Sequence, residues 1–226
     1  MSRKLIALHF LNDILSLASV GVILFWSARL DWWTGWAVIA VWLVWFTAMD
    51  IVMLRFNPDL MTERLSPPKG AKTWDRAILS ILRLTQLARY ILAGLDQRYG
   101  WTGSFPLIAQ IIAIAMCLLS IALFTWAMAS NLFFSQIVRI QRDRGHTVAI
   151  NGPYHYIRHP GYVGMILFEF GISTLLASWW AIVAGGVCAI LIILRTALED
   201  RTLQAELPGY VDYARQVRYR LLPGIW

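Results

Sequence analysis

FPLIAQIIAIAMCLLSIALFTWAMA, residues 105–129, runs its whole length without a charged side chain. About 20 apolar residues, rising about 1.5 Å each, cover a hydrocarbon core roughly 30 Å thick. The stretch therefore reads as a transmembrane helix. The composition agrees: 58% of the 226 residues are hydrophobic, 15% are charged, and the mean hydropathy is +0.58. That is the profile of a membrane protein, not of a soluble domain of this size. Many of the 12 Trp and 8 Tyr fall near the ends of apolar runs, as interfacial anchoring places them.

Upstream, residues 6–28 and 33–54 form two further spans joined by a tight hairpin at 29–32. The N-terminal run is interrupted by Asn12 and Asp13 and reads as a retained span rather than a cleaved signal. Residues 55–75 hold Pro58, Pro67, Pro68 and Gly70, which favour a loop. Residues 76–95 are apolar but carry Arg83, Gln86 and Arg89. They either cross against the interior of a bundle or lie in the interface as an amphipathic helix. Downstream, 163–176 and 180–194 pair around a turn at 177–179, and both are short for a bilayer.

The net charge of +7 is explained by topology, not by nucleic acid, because the basic residues sit at the ends of spans. Fifteen of them fall in segments that six crossings place on one side: the N-terminus, 55–75, 130–160 and the tail from Arg195. Only Arg29 and Arg98 fall opposite. The expectation is an all-α, polytopic membrane helical bundle with six crossings and both termini cytoplasmic; five crossings is the alternative. The whole chain, 1–226, reads as one domain in the cell or inner membrane, with a functional core at 131–226. Cys117 and Cys188 lie in apolar runs and read as small hydrophobes. His9, His146, His155 and His159 show no zinc-type spacing, so no metal is expected. Asp13, Asp50 and Glu169 either line a polar path, as in a transporter, or pair with Arg83 or Arg89.

Two stretches carry chemistry that an anchor does not need. GPYHYIRHPGYVG, residues 152–164, opens on a Gly-Pro turn and closes on Pro160, which suits a first helical turn. Between them stand three tyrosines with Arg158 and His159, a composition suited to a flat heterocycle with hydroxyls and charged ends. RTALEDRTLQAELPGY, residues 195–210, places Arg195 and Glu199 four apart on one helical face. That pair is either a helix-stabilising ion pair or a ligand site. Glu199, Asp200 and Glu206 make an acidic patch able to receive an ammonium or ribose hydroxyls.

Together with NLFFSQIVRIQRDRGHTV at 131–148, PGYVDYARQVRYR at 208–220 and the terminal RLLPGIW, these stretches resemble the isoprenylcysteine carboxyl methyltransferase family and its phospholipid methyltransferase relatives. The first half resembles them only in general character. The resemblance implies S-adenosyl-L-methionine bound without a Rossmann domain. By the family pattern His146 and Val148 edge the adenosyl pocket. Gly152, Pro153, Tyr154, His159, Pro160, Tyr162 and Gly164 build its wall, and Glu199 holds a polar end of the cofactor. Asp200 stands where the family has a second glutamate, which shortens its reach. Arg195 matches the arginine just before the acidic pair and orients an acceptor carboxylate or another anionic group. The implied partner is a lipophilic or lipid-modified substrate, methylated at a carboxylate; another membrane lipid is the alternative acceptor. The terminal RLLPGIW reads as an interfacial clamp with Trp226 as membrane anchor.

Overall fold

The computed structural model describes residues 3–27, 30–58, 60–61 and 70–226. Among the described residues these α-helices follow in order: α1 Arg3–Ser27, α2 Trp33–Phe56, α3 Thr73–Tyr99, α4 Leu107–Ala129, α5 Pro160–Leu175, α6 Trp179–Glu206 and α7 Tyr210–Gln216. No strand occurs among the described residues. Of the expected hairpin at 29–32, Arg29 lies outside the described residues, as do Arg64, Pro67, Pro68 and Lys69 of the following loop. α1, α2, α3, α4 and α6 are long and apolar enough to cross a membrane, and α5 is a shorter apolar helix. The polytopic helical bundle read from the sequence is borne out.

The ambiguous 76–95 segment lies inside α3, which is 27 residues long. At 1.5 Å per residue that is about 40 Å, enough to span. Its buried residues include Asp75, Ile78, Leu82, Arg89, Ala93 and Asp96. Spaced at three, four and seven, they form one stripe facing α1 and α6. Arg89 is fully buried and pairs with Glu169 of α5, which also accepts a 2.6 Å bond from Gln86 Nε2. Arg89 Nη2 donates to the Tyr90 hydroxyl at 3.2 Å, and Trp42 Nε1 of α2 donates to the same oxygen at 2.7 Å. One polar network thus ties α2, α3 and α5. Glu169 takes the pairing alternative foreseen for it, with Arg89. Asp13 and Asp50 differ: both approach His9, at 3.3 and 2.8 Å.

α4 and α5 pack through small residues. A Cβ at Gly171 would lie 2.7 Å from Cys117 Sγ and 3.2 Å from Ala113 O, so only glycine permits this approach. Ser120 Oγ reaches across the same seam to donate to Gly164 O at 2.7 Å. Both cysteines are free and buried.

The closing hairpin departs from expectation in length. α6 does not stop near Leu194 but continues to Glu206, 28 residues in all, before Gly209 turns the chain at φ 80°. No glycine or proline interrupts it after Gly186, so nothing breaks the helix at the polar boundary. The site-bearing residues Arg195, Glu199 and Asp200 therefore ride on the span itself.

Replacing Glu169 with Ala leaves Arg89 uncompensated in a buried setting. The expected cost is roughly 3–5 kcal/mol, read as a lowered thermal midpoint of the protein in detergent, with the exposed control Asp212→Ala near wild type.

Candidate functional site

A cavity of about 1360 Å³ opens among α1, α2 and α3 on one side and the 131–149 segment, α5 and α6 on the other. α5 starts where the sequence predicted, with Pro160 at its first position and His159 as N-cap. This start fixes Tyr162 on the first turn, facing α6. The Tyr162 hydroxyl donates to Glu199 Oε2, and the Arg195 guanidinium lies 5.3 Å above the Tyr162 ring. Arg195 and Glu199 do share a face, but they are not paired with each other. Arg195 Nε donates to Asp75 Oδ1 at 2.7 Å, and Nη2 donates to Gln136 O at 2.8 Å. Asp75, fully buried, also accepts the Val138 amide at 2.7 Å, which pins the 131–149 segment against α3.

His146, Val148, Tyr154, His159, Tyr162, Arg195 and Glu199 all line the cavity. Gly152, Pro153, Pro160, Gly164 and Asp200 do not, and each has a packing reason. Gly152, at φ 60°, backs onto Ser130 and Trp126, while Gly164 presses on the α4 backbone at Ser120 and Phe124. Pro153 is buried in the turn of a short 3₁₀ helix, Gly152–His155. Pro160 is buried where α5 begins.

Asp200 is fully buried behind the cavity wall and gathers five side chains. Arg158 grips it through Nε at 2.8 Å and Nη2 at 3.2 Å; Arg220 Nε and Gln204 Nε2 donate at 2.8 and 2.7 Å. The Tyr210 hydroxyl donates at 3.0 Å and His159 Nε2 lies at 3.3 Å. Its carboxylate is committed to protein groups, so the structure gives it a bracing position where the family pattern suggested cofactor contact. Arg158 also donates to the carbonyls of Val217 and Arg218, both at 2.9 Å. The backbone amides of Arg158 and His159 donate to Tyr219 O and Arg220 O, each at 2.9 Å. The tail is thus a strap across the 152–164 turn. Trp226 folds back beneath Arg220, whose guanidinium is 5.0 Å from its ring.

The sequence did not single out Asp75, Gln136, Phe133, Tyr210 or Tyr213 for the site. Tyr210 and Tyr213, three apart on α7, were the legible signal: both are buried, and both line the cavity. The Tyr213 hydroxyl donates to Tyr154 O at 2.7 Å and locks the turn. Burial pushes the Tyr154, Tyr210 and Tyr213 hydroxyls well above the ordinary phenol range, so all three remain donors. His146 is half-buried against the Phe133 ring at 4.7 Å. Burial first, then the charges of Arg139 and Arg144, hold its pKa below the usual imidazole value. The Gln141 amide donates to its Nδ1 at 3.3 Å, which requires that nitrogen to be unprotonated.

Chemically, the lining offers carboxylates, guanidiniums, phenol donors and aromatic faces, continuous with apolar lining from Trp45, Phe46, Leu82, Phe124 and Met165. Among the described residues one group, His9, Asp13 and Asp50, brings metal-type ligand atoms within 4.8 Å of one another.

Residues 112–205, less than half of the chain, match the sequence model of the Isoprenylcysteine carboxyl methyltransferase (ICMT) family. The Rattus norvegicus Protein-S-isoprenylcysteine O-methyltransferase is 28% identical over 110 residues, which cover 45% of this chain and 35% of the rat protein. The Mus musculus protein of the same name is 27% identical over 115 residues, 47% of this chain and 37% of its own. The Schizosaccharomyces pombe protein is 39% identical over 46 residues, 20% of each chain. The rodent matches thus span little more than a third of those proteins. The resemblance read from the sequence is borne out over this segment, which holds the 152–164 turn, Arg195 and Glu199 and excludes α1–α3 and the strap.

Asp200→Ala removes the acceptor that holds Arg158 and Arg220. The expected result is release of the strap, read as faster amide hydrogen exchange at 217–226 and around Arg158, while the α4–α5 seam keeps wild-type protection.

Proposed function

We propose that this protein transfers a methyl group from S-adenosyl-L-methionine to a lipophilic acceptor, the carboxylate of an isoprenylcysteine-like molecule. The observation that carries the reading is the single cavity that joins the polar wall around Glu199, Tyr162 and Arg195 to apolar lining between the spans. The family match covers that polar wall from Tyr154 to Glu199.

The residues present fit the donor. Glu199 accepts from Tyr162 through Oε2 only, so Oε1 remains an acceptor at the cavity wall for an ammonium or ribose hydroxyls. Aromatic faces at Phe133 and Tyr154 and the neutral His146 suit a flat heterocycle. When bound, S-adenosyl-L-methionine supplies an electrophilic methyl on a sulfonium. Tyr162 holds Glu199 in one orientation, and Arg195 reinforces the Tyr162 ring from above. Asp75 and Gln136 fix the Arg195 guanidinium through Nε and Nη2, leaving Nη1 to orient an acceptor carboxylate. A carboxylate is ionised at neutral pH and needs no base. Because Arg195 is already paired with Asp75, its attraction for the acceptor is moderated, which preserves nucleophilicity. The chain's contribution is then alignment and exclusion of water. The basic residues at this end of the bundle, Arg139, Arg142, Arg144, Arg215 and Arg218 among them, support a cytoplasmic opening.

The test is incubation of the purified protein with labelled S-adenosyl-L-methionine and an S-prenylated cysteine acceptor. Base-labile label on the acceptor is expected; absence of transfer from protein that binds the donor would sink the acceptor assignment. Glu199→Gln should weaken donor binding about tenfold or more, the worth of a charge-assisted hydrogen bond. Arg195→Lys, unable to hold the same fork, should lower kcat with donor affinity kept.

His146 adds a pH test. A folded state that resists the proton loses stability as pH falls below the ordinary imidazole value, about 6.5. Donor affinity, measured by calorimetry, should hold through that pH and decline only at more acid values, where the lowered folded-state pKa of His146 is reached and a charged imidazole opposes a cationic ligand. His146→Asn should flatten that decline.

A further inference from the structure

The cavity's other wall lies outside the segment matched by the family, residues 112–205. There α1 presents His9, Asn12, Asp13 and Ser16, spaced at three, four and seven along one helical face. The opposite face of α1 exposes Phe10, Leu11, Ile14 and Leu15. Ionisable side chains within a span turn to a cavity or to one another, because lipid solvates neither sign of charge.

His9 and Asp13 are joined on this wall by Asp50 of α2. His9 is 4% exposed and Asp50 7%. His9 Nε2 lies 2.8 Å from Asp50 Oδ1 and 3.3 Å from Asp13 Oδ2. The three atoms all lie within 4.8 Å of one another. Four-coordinate zinc, with bonds of about 2.0–2.1 Å, holds neighbouring ligand atoms about 3.3 Å apart, the edge of its tetrahedron. The observed separations fall around that edge.

Hydrogen bonding alone accounts for the group less well. A ring nitrogen has one hydrogen at most, and a protonated imidazole serves two carboxylates by giving one hydrogen from each nitrogen. Here both carboxylates approach the same nitrogen. Atoms from two spans converge on one point, which is the arrangement an ion requires.

We propose that His9, Asp13 and Asp50 form a binding site for one divalent transition-metal ion of the zinc or manganese class. One imidazole with two carboxylates is a donor set for such ions and lacks the thiolates that favour softer ones. Two carboxylates also balance a divalent charge, so the occupied site is neutral within the spans. All three residues line the cavity, so the ion's remaining position opens onto it and takes water. The ion ties α1 to α2. Sequence spacing hides the site because Asp50 lies 41 residues from His9, on another helix. The methyl transfer proposed above has no step through this ion, so the two readings stand or fall separately.

The experiment is metal analysis of the purified full chain in detergent, carrying no polyhistidine tag. The protein is stripped with a chelator, incubated with zinc chloride or manganese chloride, desalted and analysed by inductively coupled plasma mass spectrometry. The expected result is one ion per chain, with a thermal midpoint that rises as the ion is added. His9→Asn, Asp13→Asn and Asp50→Asn should each weaken binding at least as much as loss of a group that merely supports a ligand, about 10–100-fold. His155→Asn, at an exposed histidine, should bind the ion as wild type does. A wild-type chain that keeps neither ion overturns the inference without recourse to a variant. So does undiminished binding in the three variants, which marks an adventitious ion only.

Discussion

A carboxylate cut off from water must be met by donors, and Asp200 is where that constraint organises the molecule. It sits on α6 with no exposed surface. The donors it requires come from the 152–164 turn, from α7 and from the tail, so satisfying one side chain assembles three segments that are distant in sequence. Arg158 also donates through Nη1 to tail carbonyls, and tail carbonyls accept the backbone amides of Arg158 and His159. The cavity wall in front of Asp200 holds its shape because the brace behind it is full.

The same rule runs through the bundle. Arg89 with Glu169, Arg195 with Asp75 and His9 with Asp50 each join residues from different spans. In lipid, a charge without a partner is expensive, so each pair fixes how two helices face one another. Arg195–Asp75 has a double consequence: it docks α6 on α3 and leaves the guanidinium at the cavity in a set orientation.

Much of this was legible in the sequence. Apolar length marked the spans, proline marked the start of α5, and the residue types in 152–164 and 195–199 marked the polar wall. Seven of the expected site positions line one cavity. What escaped was whatever depends on a distant partner. Asp75 looks like an ordinary loop-to-helix acid until α6 arrives beside it, and Asp200 looks like a ligand residue beside Glu199. The helix period places them about 100° apart, so Glu199 faces the cavity and Asp200 faces the strap. Gly152, Pro153, Pro160 and Gly164 shape the wall from outside it, a role that residue identity alone does not separate from contact.

α6 is one uninterrupted rod from Trp179 to Glu206, about 42 Å by its rise per residue. Its lower part packs inside the spans and its upper part carries Arg195 and Glu199. With no hinge between the two, any change in tilt that the lipid imposes is delivered undamped to the guanidinium and carboxylate. A bilayer that thickens or thins tilts such a rod at modest cost. The thickness of the surrounding membrane therefore acts as a mechanical input to the geometry of the candidate site, and the lipid is part of the machine as well as its solvent.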